Sequence, residues 1–112
     1  MIVEKPWGTY EVLSTKRDCQ VKRIVVFPGQ RLSLQRHFQR DEHWFIVRGT
    51  AKIRRDNDAF KLLAGDHINI PMESWHRVEN PEPYNLVFIE IQTGIYFGED
   101  DIERKDDDYD RI

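Results

Sequence analysis

The stretch Gly29-Gln30-Arg31-Leu32-Ser33-Leu34-Gln35-Arg36-His37-Phe38-Gln39-Arg40-Asp41-Glu42-His43-Trp44-Phe45-Ile46-Val47-Arg48-Gly49 decides the fold. Its first half alternates, with Leu32 and Leu34 on one side and Arg31, Ser33, Gln35 and His37 on the other, as a β-strand requires. Gln35 and His37 lie two apart, so their side chains leave the same face. Glu42 follows a short turn and opens an apolar run that stops at Gly49, sharing parity with Trp44 and Ile46. A carboxylate at the start of a buried apolar face needs a cation beside it, because an unpaired buried charge is costly. A metal ion or an arginine would serve.

The pattern continues outward as short β-forming runs cut by turn residues. Strands are expected over 9–13, 20–27, 31–37, 42–47, 51–54, 60–63, 67–70, 76–78 and 84–92. Asp56-Asn57-Asp58 reads as a hairpin turn, and Pro28-Gly29, Gly65-Asp66 and Asn80-Pro81-Glu82-Pro83 as breaks. No run shows a helical stripe of ten residues; a single helical turn near Gly98 to Glu103 is the exception expected, because acids suit a helix N-terminus. Many short strands at regular spacing predict an all-β sandwich or barrel, and 112 residues fit one domain.

The net charge of −3 conceals a polar split. Residues 99–112 carry eight acids against Arg104, Lys105 and Arg111, which leaves the body slightly basic. This acidic tail, from about residue 99, is expected to be a solvated terminus, with docking on its own domain or on a partner as the alternative. No basic stripe suits nucleic acid. Cys19 is alone, so no internal disulfide forms, and it has no nucleophilic setting. No apolar run approaches membrane-spanning length and no signal-peptide core is present, so a cytoplasmic protein with no membrane partner is expected.

A second stretch, Gly65-Asp66-His67-Ile68-Asn69-Ile70-Pro71-Met72-Glu73-Ser74-Trp75-His76-Arg77-Val78-Glu79-Asn80, brings in His76, whose face is shared with Val78. Two imidazoles, a carboxylate and an amide suit zinc, manganese, iron, cobalt or nickel without choosing among them.

Together the two stretches resemble the paired motifs of the cupin superfamily, G-x5-H-x-H-x(3,4)-E-x6-G and G-x5-P-x-G-x2-H-x3-N. Every spacing matches; Gln35 replaces the first histidine, and Glu73 replaces the middle glycine in a turn. The run PGQRLSLQRHFQRDEHWFIVRGTAKI closely resembles the cupin domain of type II phosphomannose isomerases, the C-terminal part of bifunctional enzymes that also carry mannose-1-phosphate guanylyltransferase activity. The likeness extends from Lys5-Pro6-Trp7-Gly8 to Ile102. The resemblance implies a single-domain cupin over 1–112, a double-stranded β-helix or jelly-roll barrel. It implies one divalent metal, zinc first, on Gln35, His37, Glu42 and His76, and a homodimer. It also implies interconversion of mannose 6-phosphate and fructose 6-phosphate through an enediol. The guanylyltransferase domain is absent, so that activity does not transfer. The alternative is a non-catalytic or regulatory cupin that binds a metal and a sugar or sugar phosphate.

Such an isomerase needs a proton-transferring group and a cation for the phosphate. Arg31 shares strand parity with Gln35 and His37 and is expected to face the cavity with Ser33. Arg77 follows a ligand, and the family suggests a catalytic role, although strict alternation turns it away from His76. Glu90 and Lys22 are the candidate bases, and Trp44, on Glu42's face, is a candidate sugar platform or a core residue. His43 is expected to be structural and His67 not to be a ligand. Trp44, Phe45, Phe88 and Tyr96 are expected in the core, and Trp7 and Trp75 in core, lid or mouth.

Overall fold

The computed structural model describes Met1–Ile112 as eleven strands and no helix. They are β1 (Ile2–Lys5), β2 (Gly8–Thr15), β3 (Cys19–Val26), β4 (Leu34–Arg36), β5 (Arg40–Arg48), β6 (Thr50–Arg55), β7 (Asp58–Leu63), β8 (His67–Ile70), β9 (His76–Glu79), β10 (Leu86–Gly94) and β11 (Glu103–Asp106). One sheet has the order β1-β2-β3-β10-β5-β8 and the other β11-β4-β9-β6-β7. Every strand pairing is antiparallel, and the core lies between the two sheets.

Period-two patterning explains the layers. In β3 the residues Gln20, Lys22, Ile24 and Val26 point inward and are buried, while those between them are half-exposed. Trp44 and Ile46 of β5 and Leu86 and Phe88 of β10 fill the centre with Ile24, Ile53, Ile70 and Val78. Trp44 and Phe88 pack with ring centroids 5.3 Å apart. Phe45, on the opposite face of β5, is 44 % exposed, and Tyr96 lies beyond β10 at 40 %. Neither belongs to the core that sequence patterning suggested for them.

The motif glycine at 49 has a steric reason. Its φ is +96°, and a Cβ there would lie 3.1 Å from Asn85 O and Leu86 Cα, so the β5–β6 turn presses directly on β10. Glu73, which stands where the cupin pattern has glycine, also adopts a left-handed φ of 67°. Its amide donates to His37 O at 2.8 Å, so this strained turn ties the second motif to the first. Glu73→Gly is expected to stabilise the chain by about 1 kcal/mol, since an L-residue in this region costs 1–2 kcal/mol and glycine's extra unfolded-state entropy returns part of that. Chemical denaturation of the two proteins measures it; equal midpoints would show that the Glu73 conformation carries no strain.

The largest departure from expectation lies at the two ends. Ile2–Lys5 forms an edge strand on β2, and Glu103–Asp106 pairs with β4, so the acidic tail is part of the fold and not a solvated terminus. No helical turn forms at Gly98 to Glu103. Four acids of this segment pair with arginines: Glu103 with Arg36, Asp106 with Arg77, Asp107 with Arg111 and Asp108 with Arg31. Charge that looks solvated along the chain is matched across it. The Asp101 carboxylate accepts from the amides of Phe38 and Gln39, which closes the segment over the turn between the ligand strands.

Candidate metal centre

At one end of the sandwich β4, β5 and β9 converge. The register sets Gln35 of β4 opposite His76 of β9, and Glu42 enters from β5. His37, Glu42 and His76 are buried, and each offers a ligand atom within 4.8 Å of the other two. His37 Nε2 is 3.4 Å from Glu42 Oε2 and His76 Nε2 is 4.0 Å from Glu42 Oε1. The two imidazole rings are 5.1 Å apart.

Hydrogen bonds select the tautomers. His37 Nδ1 lies 2.6 Å from Asp101 O and His76 Nδ1 3.1 Å from Ser74 O. A carbonyl can only accept, so each Nδ1 carries the proton and each Nε2 keeps a lone pair directed at Glu42. His76 Nε2 is buried without any hydrogen-bond partner. Burial holds both imidazoles neutral: it lowers the His76 pKa to about 3 with help from the neighbouring His37, and lowers that of His37 with help from Arg40. Neutral imidazoles around a carboxylate are the state in which such a set takes a divalent cation; the His76 Nε2 lone pair is unclaimed and that of His37 is met only by Arg40, so the residues present fit one. Gln35 lines the cleft and its Oε1 accepts from Ser33 Oγ at 2.6 Å. The second lone pair of that oxygen is left for another partner.

Arg40, one of the cations the sequence offers for a phosphate and expected to be a solvated surface charge, is instead buried in the centre. Its Nε donates to Glu42 Oε2 at 2.9 Å and its Nη2 to His37 Nε2 at 3.2 Å, while Nη1 is buried without a partner. Although burial opposes its charge, Glu42 and Glu90 hold its pKa above the ordinary value. The guanidinium stands where a metal cation would also be attracted, and it supplies the positive partner that Glu42 requires. The signal was present in the sequence as a cation two residues before Glu42, on the same strand face.

Glu90 and Lys22 both line the cleft. Glu90 accepts from Trp44 Nε1 at 3.1 Å and Gln92 Nε2 at 2.8 Å, and burial together with the nearby Glu42 raises its pKa to about 7. Lys22 is ion-paired with Glu99 at 3.0 Å and lies over the Tyr10 ring. Trp44 sits beneath the ligands, 1 % exposed, donating also to Glu42 at 3.0 Å. It is a strut under the carboxylates and not a sugar platform. Trp7 is both core and cleft wall.

Three expected substrate contacts go elsewhere. Alternation breaks between the isolated bridge at Arg31 and the start of β4 at Leu34, so Leu32, not Arg31, joins Gln35 and His37 in the cleft. Arg31 turns outward to Asp108, at 2.8 Å through Nε. Ser33 is wholly buried and reaches only Gln35. Arg77 points away from His76, donating to Leu32 O at 2.8 Å and to Asp106 at 3.0 Å, and so clamps β11 to the sheet. His43 bonds Asn69 on the outer face and packs near His67, away from the centre.

The cleft above the centre has a cavity volume of about 120 Å³ and opens to solvent at its mouth. Its cations are Lys5, Lys22, Arg40, Arg104 and Arg111 against the acids Glu90 and Glu99, so it favours an anion. A divalent ion held here would act as a Lewis acid toward a carbonyl or hydroxyl oxygen.

A family model described as mannose-6-phosphate isomerase, C-terminal, matches residues 1–107. The chain belongs to that family. It is 48 % identical over 109 residues to the alginate biosynthesis protein AlgA of Pseudomonas aeruginosa, covering 97 % of this chain and 23 % of AlgA. To the mannose-1-phosphate guanylyltransferase of Escherichia coli it is 44 % identical over 110 residues, covering 98 % of this chain and 23 % of that protein. A double-stranded β-helix protein from Klebsiella pneumoniae superposes with a TM-score of 0.79 at 19 % identity, over 93 % of this chain and 89 % of its own. The cupin fold is thereby shown.

The relatives also correct the functional expectation. The chain spans about a quarter of their length, and their names describe alginate biosynthesis and guanylyl transfer. They do not make a domain of this size an isomerase by itself. Interconversion of mannose 6-phosphate and fructose 6-phosphate through an enediol is therefore set aside as the function of this chain.

The Glu90 carboxyl gives a pH signature of its own. Its folded pKa of about 7 lies above the ordinary value of 4.5, so folded protein holds a proton that unfolded chain has released. That contribution is present below pH 4.5 and is lost as pH rises toward 7. Metal-free Glu90→Gln is expected to gain about 3 kcal/mol relative to the parent between pH 4.5 and 7, because each pK unit is worth 1.36 kcal/mol. Urea denaturation at the two pH values measures it, and a pH-independent difference would place Glu90 in an ordinary carboxylate environment.

Proposed function

We propose that this chain is a divalent-metal-dependent binding domain for a sugar phosphate, acting with the nucleotide-sugar machinery of mannose metabolism. One observation carries the reading: the buried, unpartnered His76 Nε2, grouped with Glu42 and with His37, which itself lines a cationic cleft. Gln35, His37, Glu42 and His76 would hold the ion, with zinc first and manganese, cobalt, nickel or iron as alternatives. Arg40 sits beside the ligands, and Lys22 and Glu90 form the wall. Family membership and the guanylyltransferase relative support a mannose-type ligand. The reading includes a cytoplasmic homodimer that contacts neither nucleic acid nor membrane. Exposed Phe45, Val47 and Ile91 on the outer face of β5 and β10 are the support for self-association, and sedimentation at micromolar concentration tests it.

Untagged protein is expected to carry one divalent ion per chain by elemental analysis. Calorimetric titration with mannose 6-phosphate is expected to show binding to metal-loaded protein and none after chelation. Absence of metal, or sugar-phosphate affinity that survives chelation, would overturn the reading.

A further inference from the structure

We propose that Arg104, flanked by Lys5 and Arg111, forms a phosphate subsite at the mouth of the cleft, opposite the metal ligands at its base. The inference rests on the sugar-phosphate reading and assigns its anionic end to residues of the C-terminal strand.

The placement comes from the topology. β11 pairs with β4 so that Arg104 stands opposite Gln35 in register, and Arg104, Arg111 and Lys5 line the same cleft as Gln35 and His37. One strand pairing therefore carries a cation to the rim of the metal centre.

The second observation is that Arg104 lacks what its neighbours have. Arg31, Arg36, Arg77 and Arg111 each pair with a carboxylate of the same segment, namely Asp108, Glu103, Asp106 and Asp107. Arg104 joins none of these pairs, and its Nε is buried with no hydrogen-bond partner. Burial and the nearby Arg111 guanidinium act against its charge and outweigh the attraction of Asp107 and Glu99, so its pKa is lowered. A guanidinium that is desolvated, unpaired and beside a second guanidinium is destabilised until an anion joins it. Arg111 is held by Asp107 in a bidentate pair, through Nε at 2.7 Å and Nη2 at 3.1 Å, so it adds positive field beside Arg104 and only its remaining arm can meet an anion. Lys5 takes part in no ion pair and lies 5.9 Å from the Tyr10 ring centroid.

The chemistry selects phosphate. Three cations, two of them planar forks, match a dianion with three equivalent oxygens better than a single carboxylate. The other cleft cations are engaged, Lys22 with Glu99 and Arg40 with Glu42. The two acids of the cleft do not cancel the subsite: Glu99 is held by Lys22, and Glu90 lies low in the cleft between Trp44 and Gln92. A ligand with phosphate at one end and hydroxyl or carbonyl oxygen at the other would span from Arg104 to the metal.

Calorimetry on the full, metal-loaded chain tests this with inorganic phosphate, mannose 6-phosphate and mannose as probes. The parent is expected to bind both phosphates. Arg104→Ala is expected to lose inorganic phosphate and to weaken mannose 6-phosphate at least 30-fold, with metal content and circular dichroism unchanged; Arg104→Lys is expected to recover part of the loss. Lys61→Ala, an exposed cation on β7, is expected to match the parent. Phosphate affinity equal in the parent and Arg104→Ala would overturn the subsite. So would loss of mannose and mannose 6-phosphate affinity in equal proportion. A parent that binds inorganic phosphate through Arg104 but not mannose 6-phosphate would support the subsite and overturn the sugar-phosphate reading.

Discussion

Phe88→Ala is expected to cost about 3–5 kcal/mol and to lower the melting temperature by roughly 10–25 °C. Phe88 is wholly buried in the middle of β10 and packs against Trp44 of β5. β10 is the central strand of the larger sheet, flanked by β3 and β5, so neither neighbour can close the void without breaking ladder hydrogen bonds. The register slip between Val87 and Phe88 fixes the strand further, because a slide in either direction would turn the Leu86 and Phe88 face outward. Phe88→Leu keeps most of the volume and is expected to cost less than half as much. Thermal and urea denaturation of the metal-free proteins measure both; a loss under 1 kcal/mol for the alanine variant would mean the core relaxes around the gap. The effect should also reach the metal centre, since Trp44 holds Glu42 and Glu90 through its indole N–H.

The other large effect is expected from His76→Ala: metal stoichiometry should fall from one per chain to a small fraction, with an affinity loss of at least about 100-fold. The ring supplies the one buried atom able to ligate a metal that has no hydrogen-bond partner in the fold. Its removal leaves His37 and Glu42, both already engaged by Arg40, so the guanidinium keeps the site and a cation loses its advantage. Added zinc is expected to raise the melting temperature of the parent, since a ligand at 1,000 times its dissociation constant contributes about 4 kcal/mol, and to leave His76→Ala unmoved. His76→Gln preserves most of the side-chain volume and a ligating oxygen, which separates a lost ligand from a lost fold. His43→Ala serves as the control, because His43 bonds Asn69 on the outer face. A His76→Ala protein that retains one tightly held ion would remove His76 from the centre.

The sequence determined the strand class and the interior faces of β3 and β5, because both follow from period-two alternation and local turn residues; the meeting of His37, Glu42 and His76 was legible only through the resemblance to the paired cupin motifs, since alternation alone does not bring distant strands together. Arg31 shows the limit of that reasoning. Its parity with Gln35 and His37 is correct along an unbroken strand, but the strand breaks before Leu34, and one irregular step exchanges the two faces. Arg40 was equally legible by parity from Glu42, yet its role depends on Glu42 and His37 meeting the same guanidinium, which only packing decides.

The C-terminal segment shows the same division more strongly. Eight acids within fourteen residues read as a solvated tail when only neighbours along the chain are counted. Tertiary structure sets Arg31, Arg36 and Arg77, which are distant in sequence, along the path of β11, and long-range pairing converts local repulsion into attachment. That docking orients His37 through the Asp101 carbonyl and carries Arg104 to the cleft. Local pattern therefore determined which residues face inward. Only the three-dimensional arrangement decided which charges meet, because Coulomb attraction depends on separation in space and not along the chain.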